Sequence, residues 1–132
     1  MIDTNVFVSG VFFAGPPHKI LQAWKEERIG FVVSLPILAE YRDVALRLAK
    51  RYPPVDILPF IDLVMVNADI VQADSLSVQV CEDPDDDMFL ACALAGGVQT
   101  IVSGDKHLLK LNGYHDLAIL TPKAFMDLYL AD

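Results

Sequence analysis

The stretch Asp83-Pro84-Asp85-Asp86-Asp87-Met88-Phe89-Leu90-Ala91-Cys92-Ala93-Leu94-Ala95-Gly96-Gly97-Val98-Gln99-Thr100-Ile101-Val102-Ser103-Gly104-Asp105 decides how this chain folds. Aspartates crowd the start of an apolar segment that runs to Ala95, the composition of a helix with acids in its first turn. Gly96-Gly97 stops it. Residues 98–102 then read as a strand, and Ser103-Gly104-Asp105 as a turn opening a further short helix. Helix, strand and helix in direct succession mark an α/β fold.

The same alternation extends outward in both directions. Met1-Ile2 begins a strand that ends at Asp3, and the apolar run continues into Val6-Phe7-Val8. Pro16-Pro17 opens a helix to about Arg28, with Ile20, Leu21 and Trp24 on one face. Phe31-Val32-Val33 is a strand. Pro36 begins a helix whose apolar positions Ile37, Tyr41, Val44, Ala45 and Leu48 recur at helical spacing. Pro53-Pro54 breaks the chain, a helix follows from about Val55 to Asn67, and Ile70-Val71 is a short strand. Residues 117–120 form the last strand, and Thr121 and Pro122 cap and open the last helix. With no repeat and no interior linker, residues 1–132 read as one domain.

Composition narrows the function classes. Mean hydropathy is +0.40, yet no apolar run approaches the roughly 20 residues that span a bilayer. Asp3 interrupts the N-terminus at once, unlike a signal peptide, so the expected location is the cytoplasm, with no membrane partner. Cys81 and Cys92 show no zinc spacing, and Cys92 reads as a small buried residue. His18, His107 and His115 are scattered. The net charge of −8 argues against broad nonspecific affinity for nucleic acid, although much of the acid is concentrated at Asp83, Asp85, Asp86 and Asp87.

Four separate segments can deliver a carboxylate to one sheet edge. Asp3 and Asp105 each follow a strand, and ligand sites of open α/β sheets lie beyond the carboxyl ends of strands. Glu40 sits early in its helix, and Asp86 and Asp87 in the first turn of theirs. Singly, each has a bland explanation: an acid in a first helical turn gains about 0.3–1 kcal/mol from the helix dipole, and Asp105 would simply cap its helix. Asp3 fits such an explanation least, because a charge between Ile2 and Val6 is costly to bury without a partner. Clustered carboxylates repel by roughly 4 kcal/mol per pair at about 4 Å and an effective dielectric of 20. A hard divalent cation, Mg²⁺ or Mn²⁺, relieves that repulsion. No serine–histidine or cysteine–histidine pair competes for a catalytic role.

Ile2-Asp3-Thr4-Asn5-Val6 resembles the opening motif of PIN domains. Glu40, in Ser34-Leu35-Pro36-Ile37-Leu38-Ala39-Glu40, resembles their second acid. Asp83-Pro84-Asp85-Asp86-Asp87-Met88-Phe89-Leu90 resembles the third motif and Val102-Ser103-Gly104-Asp105-Lys106 the fourth. Ile119-Leu120-Thr121-Pro122-Lys123-Ala124-Phe125 is similar to the end of one prokaryotic subfamily. The resemblance covers nearly the whole chain in order. It departs from the pattern in a short first strand and in serine at 103, where threonine is common.

This resemblance implies a three-layer α/β/α domain with a central, mainly parallel sheet. It implies a Mg²⁺- or Mn²⁺-dependent endoribonuclease acting on single-stranded or structured RNA. Many relatives are VapC-type toxins paired with a protein antitoxin. The expected metal-holding and catalytic residues are Asp3, Glu40, Asp86 and Asp105, with Asn5, Asp87 and Ser103 in support. Asp86 lies in line with the stripe of Phe89, Leu90 and Ala93, whereas Asp87 lies at its border, where relatives often carry asparagine. Asp86 is therefore the expected ligand of the pair. The high apolar content further suggests a homodimer through the helices containing Trp24 and residues 58–64. Two alternatives remain: a PIN-like scaffold that binds RNA or protein without cutting, and a phosphoaspartyl receiver or phosphatase. The dehalogenase-type phosphatases carry a second aspartate where this chain has Asn5.

Overall fold

A computed structural model describes residues 1–52, 56–73, 80–81 and 86–130. The chain begins with Ile2 in a parallel bridge to Val102, continued by the Asp3 N–H donating to the Val102 carbonyl at 3.0 Å. There the extended segment stops. Val6-Phe7-Val8, expected as strand, lies inside helix α1, Thr4–Phe12. Asp3 is its N-cap and accepts the Val6 N–H at 2.8 Å. A satisfied cap at position 3 turns the chain into a helix before the β-branched residues are reached. Val6, Phe7, Val8 and Val11 are all buried, so α1 is apolar around most of its circumference. Such a helix lacks the periodicity that distinguishes it from a strand.

Helix α2, Pro16–Lys25, places prolines in its first turn and buries Ile20, Leu21 and Trp24. It ends short of Arg28, followed by Glu27 at φ 61°. Trp24 packs on Phe31 with ring centroids 4.9 Å apart, so the indole belongs to the core and offers no surface for a second copy. Strand β1, Val32–Val33, leads through Ser34 into α3, Leu35–Ala49, which buries Ile37, Tyr41 and Ala45. Val44 and Leu48 of the expected stripe are only half-buried. Helix α4, Leu58–Asn67, and strand β2, Asp69–Ile70, follow. Pro53, Pro54 and Val55 lie outside the described residues, as do Asp83, Pro84 and Asp85.

Helix α5, Asp87–Ala95, has Asp86 at its N-cap and Gly96 at its C-cap. Strand β3, Thr100–Val102, is followed by α6, Lys106–Leu109, with Asp105 as N-cap. Strand β4, Ala118–Leu120, leads to α7, Pro122–Phe125, where the Thr121 hydroxyl accepts the Ala124 N–H at 3.1 Å. A π-helical turn, Met126–Leu130, continues it.

The strand pairings are parallel: β1 with β2, and β3 with β4. The α/β class holds. Where one central sheet was expected, the described residues form two separate short parallel pairs, the second extended by Ile2 beside Val102. The strands are short because their carboxyl ends run directly into caps or turns at Asp3, Ser34, Ser103 and Thr121. No helix among the described residues is long and apolar enough to cross a membrane.

Packing of α1 on α2 is close at Gly10. A Cβ there would stand 2.9 Å from the Pro17 carbonyl oxygen and 2.6 Å from Leu21 Cδ1. Leu21 has rotamers with which to yield, but the backbone oxygen does not. Gly10→Ala is expected to destabilise the fold by about 1–3 kcal/mol in chemical denaturation. Wild-type stability would show that α1 and α2 separate without cost.

Candidate active site

The site is organised around Asp3, 4% exposed at the junction between Ile2 and α1. One carboxylate oxygen accepts the Val6 N–H at 2.8 Å, and the other accepts a short hydrogen bond from the Ser103 hydroxyl. The Ser103 oxygen in turn accepts the Asp105 N–H at 2.9 Å. Ser103 is fully buried and joins the Asp3 carboxylate to the turn that carries Asp105. Asp105 accepts the His107 N–H at 2.8 Å, which fixes it as the cap of α6.

Helix α3 supplies two neighbouring groups. Glu40 accepts a 2.6 Å hydrogen bond from the Thr4 hydroxyl. Tyr41 is fully buried, stacked on Phe7 at 4.4 Å and 11°, and its hydroxyl donates to the Ile2 carbonyl. Consecutive helical residues point about 100° apart, so Glu40 and Tyr41 reach either side of the Asp3 junction. Sequence reasoning missed Thr4 and treated Tyr41 as core. The signal available was the position of Thr4 inside the Asp3 motif and of Tyr41 beside Glu40.

Burial pushes the Asp3 carboxyl above its ordinary value. The Ser103 and Val6 hydrogen bonds pull it back, and the charges of Asp105 and Glu40 push it further up. Asp3, Glu40 and Asp105 therefore share one electrostatic neighbourhood. Cys81 defines a second: burial, Asp87, Asp86 and Asp105 push its thiol up to about 12. Asp105 belongs to both. A thiol so strongly protonated is no nucleophile at neutral pH.

Asp86 and Asp87 have different surroundings. The Asp87 carboxylate accepts the Cys81 N–H at 2.7 Å and the Val80 N–H at 3.1 Å. Burial raises its pKa, but the bonds from the Cys81 side chain and from the Cys81 and Val80 backbones prevail and hold it below the usual range. Residues 89–93 of α5 are all buried, so this helix has no narrow apolar stripe from which to read the direction of Asp86. What separates the two acids is that Asp87 ties residues 80–81 to the start of α5. Asn5 is exposed in the first turn of α1.

The donors gathered here are carboxylate oxygens, with hydroxyls behind them, the set that suits Mg²⁺ or Mn²⁺ rather than a soft metal. Raised by burial and further by its acidic neighbours, Asp3 gains from a nearby cation, so the residues fit a divalent ion chemically. Among the described residues, no three of His, Cys, Asp and Glu stand close enough to enclose one. The Asp3 oxygens face Val6 and Ser103, and Glu40 faces Thr4.

Acids at the carboxyl edge of parallel strands, with a buried aspartate capping the first helix, define the class. The PIN domain family model matches residues 1–107, which include all of these acids, and the chain belongs to that family. PIN domains are in general nucleases and usually use divalent metals. No curated protein and no solved structure matches the chain.

Two outcomes follow from the charges. A folded-state pKa raised above the unfolded value means that ionised Asp3 opposes folding at neutral pH, and that this penalty fades as pH falls through the folded pKa. Asp3→Asn is expected to raise the melting temperature at pH 7 in EDTA, with the gain shrinking toward pH 4. A gain that grows on acidification would contradict the assignment. Asp87, held low, contributes stability at neutral pH that is lost as pH falls through its folded pKa. Asp87→Ala should cost about 1.5–3 kcal/mol, as for hydrogen bonds to a charged group. An unchanged denaturation midpoint at pH 7 would refute the tie to residues 80–81.

Proposed function

We propose that this chain is a divalent-metal-dependent endoribonuclease that hydrolyses RNA phosphodiester bonds. The observation that carries the reading is the buried Asp3 carboxylate, held by Ser103 and Val6, raised chiefly by its burial and further by the charges of Asp105 and Glu40. Asp3, Glu40, Asp86 and Asp105 would hold Mg²⁺ or Mn²⁺, which when bound lowers the pKa of a water and offsets charge on the phosphodiester. The chain's own groups prepare that site. Ser103 orients Asp3 and fixes the turn of Asp105, while Thr4 orients Glu40 and Tyr41 pins the Ile2 carbonyl. Asn5 presents its amide at the rim, and Asp87 secures residues 80–81 beside Asp86.

A reading as a non-cutting PIN-like module that binds RNA or protein has one observation in its favour, the absence of a closed three-ligand group among the described residues. Cleavage decides between them. Purified protein is expected to cut RNA with Mg²⁺ or Mn²⁺ and to stop in EDTA. Asp3→Asn and Glu40→Gln should each lower the rate by 100-fold or more, on the order of 3 kcal/mol. Asp86→Asn should cost more activity than Asp87→Asn at equal folded fraction. Activity surviving in EDTA, or in Asp3→Asn, would refute the mechanism.

The proposal extends to a VapC-type toxin held by a protein antitoxin, and to a homodimer. The support for self-association is α4, where Leu58, Met65 and Val66 are 61%, 55% and 78% exposed. Sedimentation at tens of micromolar should show a dimer that Val66→Glu dissociates; a wild-type monomer at that concentration would end the idea.

A further inference from the structure

The helix that carries Glu40 also carries a cluster of basic residues. Of the ten lysines and arginines in the chain, Arg42, Arg47, Lys50 and Arg51 fall within residues 42–51. Arg47, Lys50 and Arg51 line one open groove of about 580 Å³ together with Asn5, Val8, Val44 and Leu48. All three are exposed, and none forms an ion pair among the described residues, whereas Arg42 pairs with Asp43.

The groove runs between α1 and α3, and two contacts bracket it. At the acidic end the Thr4 hydroxyl bonds Glu40, and at the far end the Phe12 ring meets Tyr52 at 5.8 Å. The helices therefore run side by side from the carboxylates toward the aromatics. Arg47 lies seven residues beyond Glu40, two helical turns along nearly the same face, about 10 Å at 1.5 Å per residue. Beyond Arg51, Tyr52 meets Phe13 edge-to-face at 5.3 Å. Phe13 is 49% exposed and Tyr52 37%, and Tyr52 directly follows Arg51 of this basic groove in a protein of net charge −8.

We infer that this groove is the path of single-stranded RNA into the acidic site, an inference that rests on the nuclease reading. Arg47, Lys50 and Arg51 take backbone phosphates, with the guanidinium forks suited to paired oxygens. The Phe13–Tyr52 pair stacks an unpaired base. A duplex leaves no base to stack there, and an acidic peptide has no use for the aromatic end, which selects a single strand. The charge of −8 thus coexists with a local cationic track, and substrate is held chiefly along one line.

The test is binding without cleavage: anisotropy of a labelled twelve-nucleotide oligouridylate in EDTA across a salt series. Arg47→Gln/Lys50→Gln/Arg51→Gln should weaken binding about ten-fold or more at low salt and reduce the salt slope by about 2, from three phosphate contacts at about 0.7 each. Lys19→Gln/Lys25→Gln/Lys123→Gln, the same charge change on exposed residues outside the groove, should leave affinity within two-fold. Tyr52→Ala should weaken binding several-fold with the salt slope intact, and Tyr52→Phe should restore it. Melting temperatures of all variants establish that they are folded. Equal losses in the two triple variants, preference for the duplex, tighter binding of a polyglutamate peptide, or no binding by wild type would each overturn the inference. Binding that follows this pattern in a protein that does not cut would uphold the groove and remove the nuclease reading. Cutting by a protein whose binding ignores the groove triple would do the reverse.

Discussion

Everything in the site depends on a carboxylate almost wholly withdrawn from water. Asp3 ends the extended segment at Ile2 and caps α1, and at 4% exposure its charge is stabilised by Val6, Ser103 and little else. Burying a charge is costly unless partners compensate, and two hydrogen bonds compensate only in part, since the group remains raised above its ordinary range. On the proposed reading, folding and ligand binding oppose each other: the buried charge that costs stability is the one that would attract a cation. Removing the charge is expected to relieve the fold and, on the proposed reading, to abolish cation binding.

Around that junction the other parts have defined tasks. The strand pairings are parallel, so the carboxyl ends of paired strands share an edge. Ser103 links two of these ends by one hydroxyl that donates to Asp3 and accepts from Asp105. Helix α3 contributes Glu40 to the site and Tyr41 to its foundation, then carries the cationic groove away from it. Along that helix Glu40 thus stands near the Asp3 junction, and Arg47 and Lys50 lie toward its far end.

The sequence exposed much of this and concealed some. Pro16-Pro17, Gly96-Gly97 and Thr121-Pro122 act through the backbone alone, and the elements they bound lie close to where they were expected. Val6-Phe7-Val8 reads as a strand because a helix buried on most sides shows no period, and the group that decides the matter, the Asp3 cap, is structure as well as chemistry. For Asp86 and Asp87 the apolar stripe was an unsafe guide, since α5 buries five consecutive residues. Their difference arises from the backbone N–H groups of Val80 and Cys81, which no local spacing reveals. The Thr4–Glu40 contact is likewise tertiary, joining residues 36 positions apart.

The central claim is that the acids around Asp3 form a site for a divalent cation. Electron paramagnetic resonance counts unbound Mn²⁺ directly and requires neither RNA nor turnover. Titrated with Mn²⁺ at pH 7, the wild-type protein should deplete the free-ion signal with saturable stoichiometry, Mg²⁺ should restore it, and Asp3→Asn should leave it undiminished while remaining folded. Equal Mn²⁺ binding by wild type and Asp3→Asn, or none by either, would contradict the account.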